Sequence, residues 1–334
     1  MYIITSKEQL IKDLKEKYND ISAIYGRYYI FGDLGGMRGD LVDALPPTLK
    51  VITVTTVGYD QFDLVALKKR GIVVCNTPGN ASISVAEIAL YLTLSTFRFT
   101  SVFEKYFRQT ENSELCRQAI TELDNSSGKL LIDPADAPSA FADGERVGKK
   151  YAHSPYGFRA GIAGFGGIGI EIGRRLNALG MEIHYFDRYK LTLEREANLG
   201  YNVTYHESFV SLLGQSDVLV LALPLHDDTK EIVNKKAIEM LPDDARIVNV
   251  GRGGLINHQH LVAALESGKL SSVGLDVHPN EPYIEKKLVE RDDITLLPHL
   301  GGGTVEVVRN AAIKSINNIR DVLEGSGRGI TPVN

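Results

Sequence analysis

Three residues in the last quarter of the chain carry side chains suited to chemistry: Arg252 in NVGRGGLIN, Glu281 in GLDVHPNEP and His299 in LLPHLGGGT. An imidazole exchanges protons near neutral pH and so serves as acid or base. A carboxylate beside it favours the imidazolium and fixes the ring's tautomer and orientation. A guanidinium pairs with a carboxylate in a fork and helps polarise a nearby carbonyl. Taken singly, a histidine after a strand is more often structural, and the arginine reads as a surface charge. Together, at strand ends or in the loops after them, they form the set needed to reduce a 2-keto acid. The cation takes the substrate carboxylate, and a positioned acid takes the carbonyl oxygen. Strand ends are where ligands bind in open α/β sheets.

Such a reduction needs a dinucleotide, and an upstream segment is built for one. GIAGFGGIG contains GxGxxG at Gly164, Gly166 and Gly169, with Phe165, Gly167 and Ile168 filling the loop. An apolar strand precedes it, and a helix with Ile172, Leu176 and Leu179 follows. Gly164 permits the tight turn, Gly166 lets backbone approach a pyrophosphate, and Gly169 lets helix pack on strand. The helix N-terminus favours the phosphate charge. The next apolar run closes on Asp187, close to the position where an acid meets the ribose hydroxyls. A carboxylate there repels a 2′-phosphate, so NAD is favoured. Arg188 beside it keeps NADP open, since a guanidinium pairs with that phosphate.

The elements that must hold these residues follow from alternating apolar runs. Strands are expected at 21–24, 51–55 and 72–75, with helices near 7–18, 62–70 and 84–97. A second block has strands at 159–164, 182–187, 218–222, 246–250, 272–275 and 294–297. Alternation of this kind predicts α/β architecture, parallel sheets with right-handed crossovers. The expectation is two Rossmann-like domains. Residues 1–99 and 300–334 make a flavodoxin-like, discontinuous substrate-binding domain, because the helical stretch 304–324 packs back on the first block. Residues 100–299 make the dinucleotide-binding domain. Within it, 109–150 is rich in Ser, Asp, Ala and Gly and reads as a long loop or insertion. It is a lid, a dimer contact or a surface excursion, the last being the plainest.

Composition narrows the partners. A net charge of −5 and no long Lys/Arg block argue against nucleic acid or an anionic membrane. The N-terminal segment turns charged at Lys7 and does not read as a signal peptide. Cys75 and Cys116 are the two cysteines. They form no metal or disulfide framework, so a reduced, cytoplasmic setting is the default. His258-Gln259-His260 lacks further nearby ligands, and no metal is expected there.

Taken with Thr56-Val57-Gly58-Tyr59-Asp60-Gln61-Phe62-Asp63, Asn76-Thr77-Pro78-Gly79 and Val85-Ala86-Glu87, these motifs resemble the D-isomer-specific 2-hydroxyacid dehydrogenase family. The resemblance spans almost the whole chain apart from 109–150. It implies NAD(P)-dependent reduction of a 2-keto acid, with the family's Arg–Glu–His triad on Arg252, Glu281 and His299. It implies substrate-carboxylate contacts from the amides of Val57 and Gly58, and cofactor contacts from Leu223, Pro224, Thr229, Val250, Gly251, Asp276, His299 and Gly301. Asp276 would meet the nicotinamide carboxamide. A homodimer is implied as well. Asn257-His258 stands where the family often has an acidic pair, Gly302 where serine is common, and 154–159 matches only loosely. The insertion and the Val57 signature are most similar to fungal-type members, among them glyoxylate and hydroxypyruvate reductases and mandelate-type dehydrogenases. The loop from Tyr25 to Tyr29 would border the pocket; its aromatics are either an apolar wall for a bulky keto acid or core. Arg27 either binds a second anionic group or sits in solvent. A second class, an NAD(H)-sensing binding protein like the related corepressors, would want disordered tails, which the sequence does not suggest.

Overall fold

Four successive residues with no polar break except Thr53 are all buried between their neighbours, and they form the centre of the smaller sheet. The strands are β1 (Ala23–Gly26), β2 (Val51–Val54) and β3 (Val73–Cys75), parallel and in the order β1-β2-β3. A strand apolar on both faces is the mark of a parallel sheet covered by helices. Helix Lys7–Glu16 starts where Ser6 accepts the N–H of Gln9, and buries Leu10 and Leu14. Helix Leu64–Lys69 starts where Asp63 accepts the N–H of Ala66. Such caps satisfy amides that have no partner inside the helix. Helix Val305–Glu324 packs against all three strands. The chain end then runs beside β3, with Val333 donating to the Val74 carbonyl at 2.9 Å.

The protein is described here by a computed structural model covering residues 3–26, 34–137 and 142–334. It divides into one unit of Met1–Ala81 with Gly302–Asn334 and another of Ser82–Gly301. The sequence boundary at 99/100 differs from this division, because helix Ser82–Arg98 groups with the larger unit. It packs on the sheet there, and Gly274 has no Cβ where one would stand 2.9 Å from Cβ of Leu92.

The described residues of the stretch expected to form a loop are folded. After helix Thr100–Thr110 comes helix Ser113–Ile120, capped by Asn112. Two short hairpins follow, β4 (Leu123–Asp124) with β5 (Lys129–Leu130) and β6 (Arg146–Val147) with β7 (Lys150–Tyr151). Phe99, Val102, Tyr106, Cys116, Ile120, Leu123 and Val147 make their own small core. A charge cluster anchors it. Lys150 Nζ lies 3.1 Å from Asp293 Oδ2 and donates to the Ser271 carbonyl at 2.6 Å. Arg291 makes two bonds to Asp293 and donates to the carbonyls of Asn125 and Ser126. The apolar residues are few and far apart in sequence, so periodicity did not reveal them.

The larger sheet comprises β8 (Arg159–Ala163), β9 (Glu182–Phe186), β10 (Thr204–Tyr205), β11 (Val218–Leu221), β12 (Ala245–Asn249), β13 (Leu270–Leu275) and β14 (Thr295–Leu296). All pairs are parallel, in the order β10-β9-β8-β11-β12-β13-β14. The order reverses between β8 and β11, which opens a crevice at their carboxyl ends, where ligands bind in such sheets. Among the described residues no helix is long and apolar enough to cross a membrane.

Candidate active site

The loop after β8 has the shape a dinucleotide phosphate requires. Gly164 has φ +92°, and a Cβ there would lie 2.7 Å from backbone of Ala222. A Cβ on Gly169 would lie 2.1 Å from the Gly164 carbonyl oxygen. At Gly166, the N-cap of helix Gly167–Ala178, a Cβ would meet nothing within 4 Å. The two crowded glycines set the turn, and the open one leaves room beside the helix N-terminus. The residues present therefore fit the dinucleotide they suggest. Phe165 turns its ring into the core, stacked on Tyr185 at 4.2 Å. Ile168 is half-buried in the first turn of the helix.

Asp187 follows β9, and its Oδ2 accepts the N–H of Phe165 at 2.7 Å. The acid thus sits against the phosphate loop. Arg188 points instead toward Asp228, Nη2 to Oδ2 3.6 Å, with both side chains exposed. After β11 and Leu223, Thr229 donates to the Pro224 carbonyl at 2.7 Å and closes the turn between them. After β12, Val250 donates to Leu221 O and Gly251 to Asn249 Oδ1.

Arg252 comes next, at the N-cap of the turn Gly253–Leu255. Its Nη1 donates to the Gly251 carbonyl at 2.7 Å, and its own carbonyl accepts from Asn249 Nδ2 at 2.9 Å. Asn249, which the sequence reading passed over, therefore shapes the loop from both sides. Its place two residues before the GRGG run was the available signal.

Glu281 and His299 meet directly: His299 Nδ1 lies 2.9 Å from Glu281 Oε2. The other carboxylate oxygen accepts the N–H of His278 at 2.9 Å. Burial opposes the Glu281 charge, but the His299 bond, the His278 N–H and the adjacent imidazoles outweigh it. The carboxyl is held below the usual carboxylate range. His299 has φ +57°, a left-handed backbone that side chains seldom adopt. What holds it there is Asp276, at the end of β13. Asp276 accepts the N–H of Leu300 at 2.6 Å and of Gly301 at 2.9 Å. Burial pushes the Asp276 carboxyl up, against those two amides, which favour its charge. Both its oxygens are thus engaged by the loop that carries His299.

In the smaller unit, Val57 and Gly58 follow β2; their carbonyls accept from Asn76 Nδ2 at 2.7 Å and Thr56 Oγ1 at 2.8 Å. Tyr25 lies within β1 and is 48% exposed, so it is not a core residue. Arg27, Tyr28 and Tyr29 lie outside the described residues. The two imidazoles considered as a metal clip have separate surroundings. His258 is buried, and His260 Nδ1 accepts from Lys235 N at 3.3 Å.

Comparison with known proteins identifies the family. The profile for the D-isomer specific 2-hydroxyacid dehydrogenase NAD binding domain matches residues 138–301. A 4-methyl-2-oxopentanoate reductase A of Aspergillus oryzae is 34% identical over 330 residues, covering 98% of this chain and 88% of that protein. A glyoxylate reductase structure from Paecilomyes thermophila superposes with a TM-score of 0.81 at 33% identity, covering 98% of this chain and 88% of that one. The holo D-mandelate dehydrogenase of Rhodotorula graminis gives 0.85 at 30% identity, over 99% of this chain and 89% of that one.

Proposed function

Since this chain belongs to the D-isomer-specific 2-hydroxyacid dehydrogenase family and is an oxidoreductase of CH–OH groups with a nicotinamide cofactor, we propose that it reduces a 2-keto acid to the D-2-hydroxy acid through Arg252, Glu281 and His299. The observation that carries this reading is the 2.9 Å bond between His299 and Glu281, at the carboxyl ends of strands whose first crossover holds the glycine loop. When bound, the nicotinamide supplies the hydride at its C4 to the substrate carbon. His299 gives a proton to the carbonyl oxygen; with Nδ1 committed to Glu281, the proton passes from Nε2. Glu281 keeps the ring aimed and its tautomer fixed. Arg252 pairs with the substrate carboxylate; the family resemblance supplies the amides of Val57 and Gly58, and Tyr25, as further substrate contacts.

Gly164 to Gly169 receive the pyrophosphate at the helix N-terminus, and Asp187 the ribose hydroxyls, which makes NAD the preferred form. Arg188 is the group through which NADP would be accepted. Leu223, Pro224, Thr229, Val250 and Gly251 form the wall, with Asp276 and Gly301 at the nicotinamide end. Glyoxylate, hydroxypyruvate and bulkier 2-keto acids are the substrates in view. The working form is taken to be a cytoplasmic homodimer, which light scattering tests. The decisive assay is a panel of glyoxylate, hydroxypyruvate, pyruvate, phenylpyruvate and benzoylformate, each with NADH and NADPH. Turnover of at least one, with a D-configured product where the product is chiral, is expected. No turnover on any of them contradicts the reading.

A further inference from the structure

We propose that His278 is a positioning residue that holds the loops of Arg252, Glu281 and His299 in register. The inference deepens the proposed function and rests on the roles given there to those three residues. His278 is 6% exposed and lies between the end of β13 and Glu281. It touches each loop through a different group. Its backbone N–H donates to Glu281 Oε1 at 2.9 Å. Its ring Nε2 lies 2.9 Å from the carbonyl oxygen of Leu297, two residues before His299. Its carbonyl carbon is where the Arg252 loop presses: a Cβ on Gly253 would stand 2.0 Å from it.

A carbonyl only accepts, so His278 Nε2 carries the proton and donates. That bond fixes the tautomer. His278 Nδ1 is buried with no hydrogen-bond partner among the described residues, and the same holds for both ring nitrogens of His258. The side chain is therefore tied at one point only, and that point is the chain leading to His299. A merely space-filling residue would need no donor aimed at a strand-end carbonyl. The ring thus couples the loop bearing the carboxylate to the loop bearing the imidazole, and sets the separation across which they bond. The titratable groups around it are His258, Glu281 and, beyond them, His299 and Glu285.

The test compares His278→Phe, which fills the space without a donor, with His278→Gln, whose amide nitrogen reaches the same place as Nε2. Displacing a reacting group by about an ångström costs up to a hundredfold in rate. His278→Phe is expected to lose about ten- to a hundredfold in kcat, with KM for NADH unchanged. Its acid limb should move to higher pH, because the loops slip out of register and loosen the His299 bond that holds the Glu281 carboxyl down. His278→Gln is expected to recover most of kcat and the wild-type acid limb. Should the Phe variant fail to fold, His278→Asn, whose amide is too short to reach Leu297, takes its place. Unchanged kcat and pH profile in the donor-less variant overturn the proposal, as does equal loss in a folded Gln variant. His299→Ala is assayed alongside: if it retains turnover, the proposed function fails, whatever the His278 variants do.

Discussion

Glu281 accepts from His299 through one carboxylate oxygen and from the N–H of His278 through the other, each at 2.9 Å. The carboxylate is thus held from behind by backbone and presents a fixed oxygen to the imidazole. An acid with one rotatable oxygen facing solvent would orient nothing. Here both oxygens are engaged, and the ring that bonds to one of them is fixed in turn.

Glu281→Gln keeps the shape and removes the charge. Its oxygen can still accept the His278 N–H, but its NH2 then faces His299 Nδ1 as a donor, so Nδ1–H loses its acceptor. We expect kcat to fall by about a hundredfold, the scale of general acid–base catalysis. In the wild type the Glu281 carboxyl lies below the ordinary value of about 4.3. Its contribution to stability is therefore present above the unfolded value and lost as pH falls through the lower folded one. An acid limb in kcat assigned to Glu281 should accordingly lie below about pH 4.3. A limb well above it, removed by Glu281→Gln, would contradict the assignment.

In the proposed function, Asp187 sets the choice of cofactor. Asp187→Asn retains an acceptor for the Phe165 N–H but removes the charge that repels a 2′-phosphate. The ratio of kcat/KM for NADH over NADPH should fall about tenfold or more, the worth of roughly 1.4 kcal/mol. Measuring both cofactors against one keto acid decides it; an unmoved ratio means the acid does not discriminate.

His258 predicts a pH dependence of stability. Burial pushes its imidazole down to about 4, against an unfolded value of about 6.5. Glu285 stands 3.6 Å from Nδ1 without a hydrogen bond, so burial prevails. Between those two values the unfolded chain binds more protons, so unfolding free energy falls as the solution is acidified. The loss is as much as about 3 kcal/mol at 1.36 kcal/mol per unit. Urea unfolding from pH 7.5 to 4.5 should show this slope, and His258→Phe should flatten it. Parallel curves for the two proteins would refute the account.

The charge cluster beneath residues 109–150 makes the fourth prediction. Asp293 is fully buried against Lys150 and Arg291. Asp293→Ala leaves two cations without their partner and should cost about 3–5 kcal/mol. Lys150→Met leaves the Arg291–Asp293 pair intact and should cost less. Thermal unfolding of both variants checks the order, and the reverse order would mean that Lys150, not Asp293, is the anchor.

Much of this was legible in the sequence because its signals were local. β11 was expected at 218–222 and spans Val218–Leu221, since an all-apolar run between turn signals has few other readings. The glycine loop and Asp187 were legible because backbone geometry restricts which residues fit. Three things were not. The fold of 109–150 rests on charges that meet residues 291–293 across the chain, and no periodicity records that. Helix Ser82–Arg98 reads equally well as belonging to either block, because a helix apolar on most sides does not name the sheet it covers. His278 stands inside GLDVHPNEP, but a lone histidine there is more often a core residue. Only its two hydrogen bonds and the close approach of Gly253 give it a role.

The central claim is that His299 carries the proton in a reaction whose cofactor binds independently of it. The most direct measurement is steady-state turnover of His299→Ala on the best keto acid, alongside NADH binding followed by fluorescence titration. The account predicts a loss of about a hundredfold or more in kcat with the NADH dissociation constant within about threefold of wild type, well under 1 kcal/mol. Turnover near the wild-type rate with NADH still bound would contradict it.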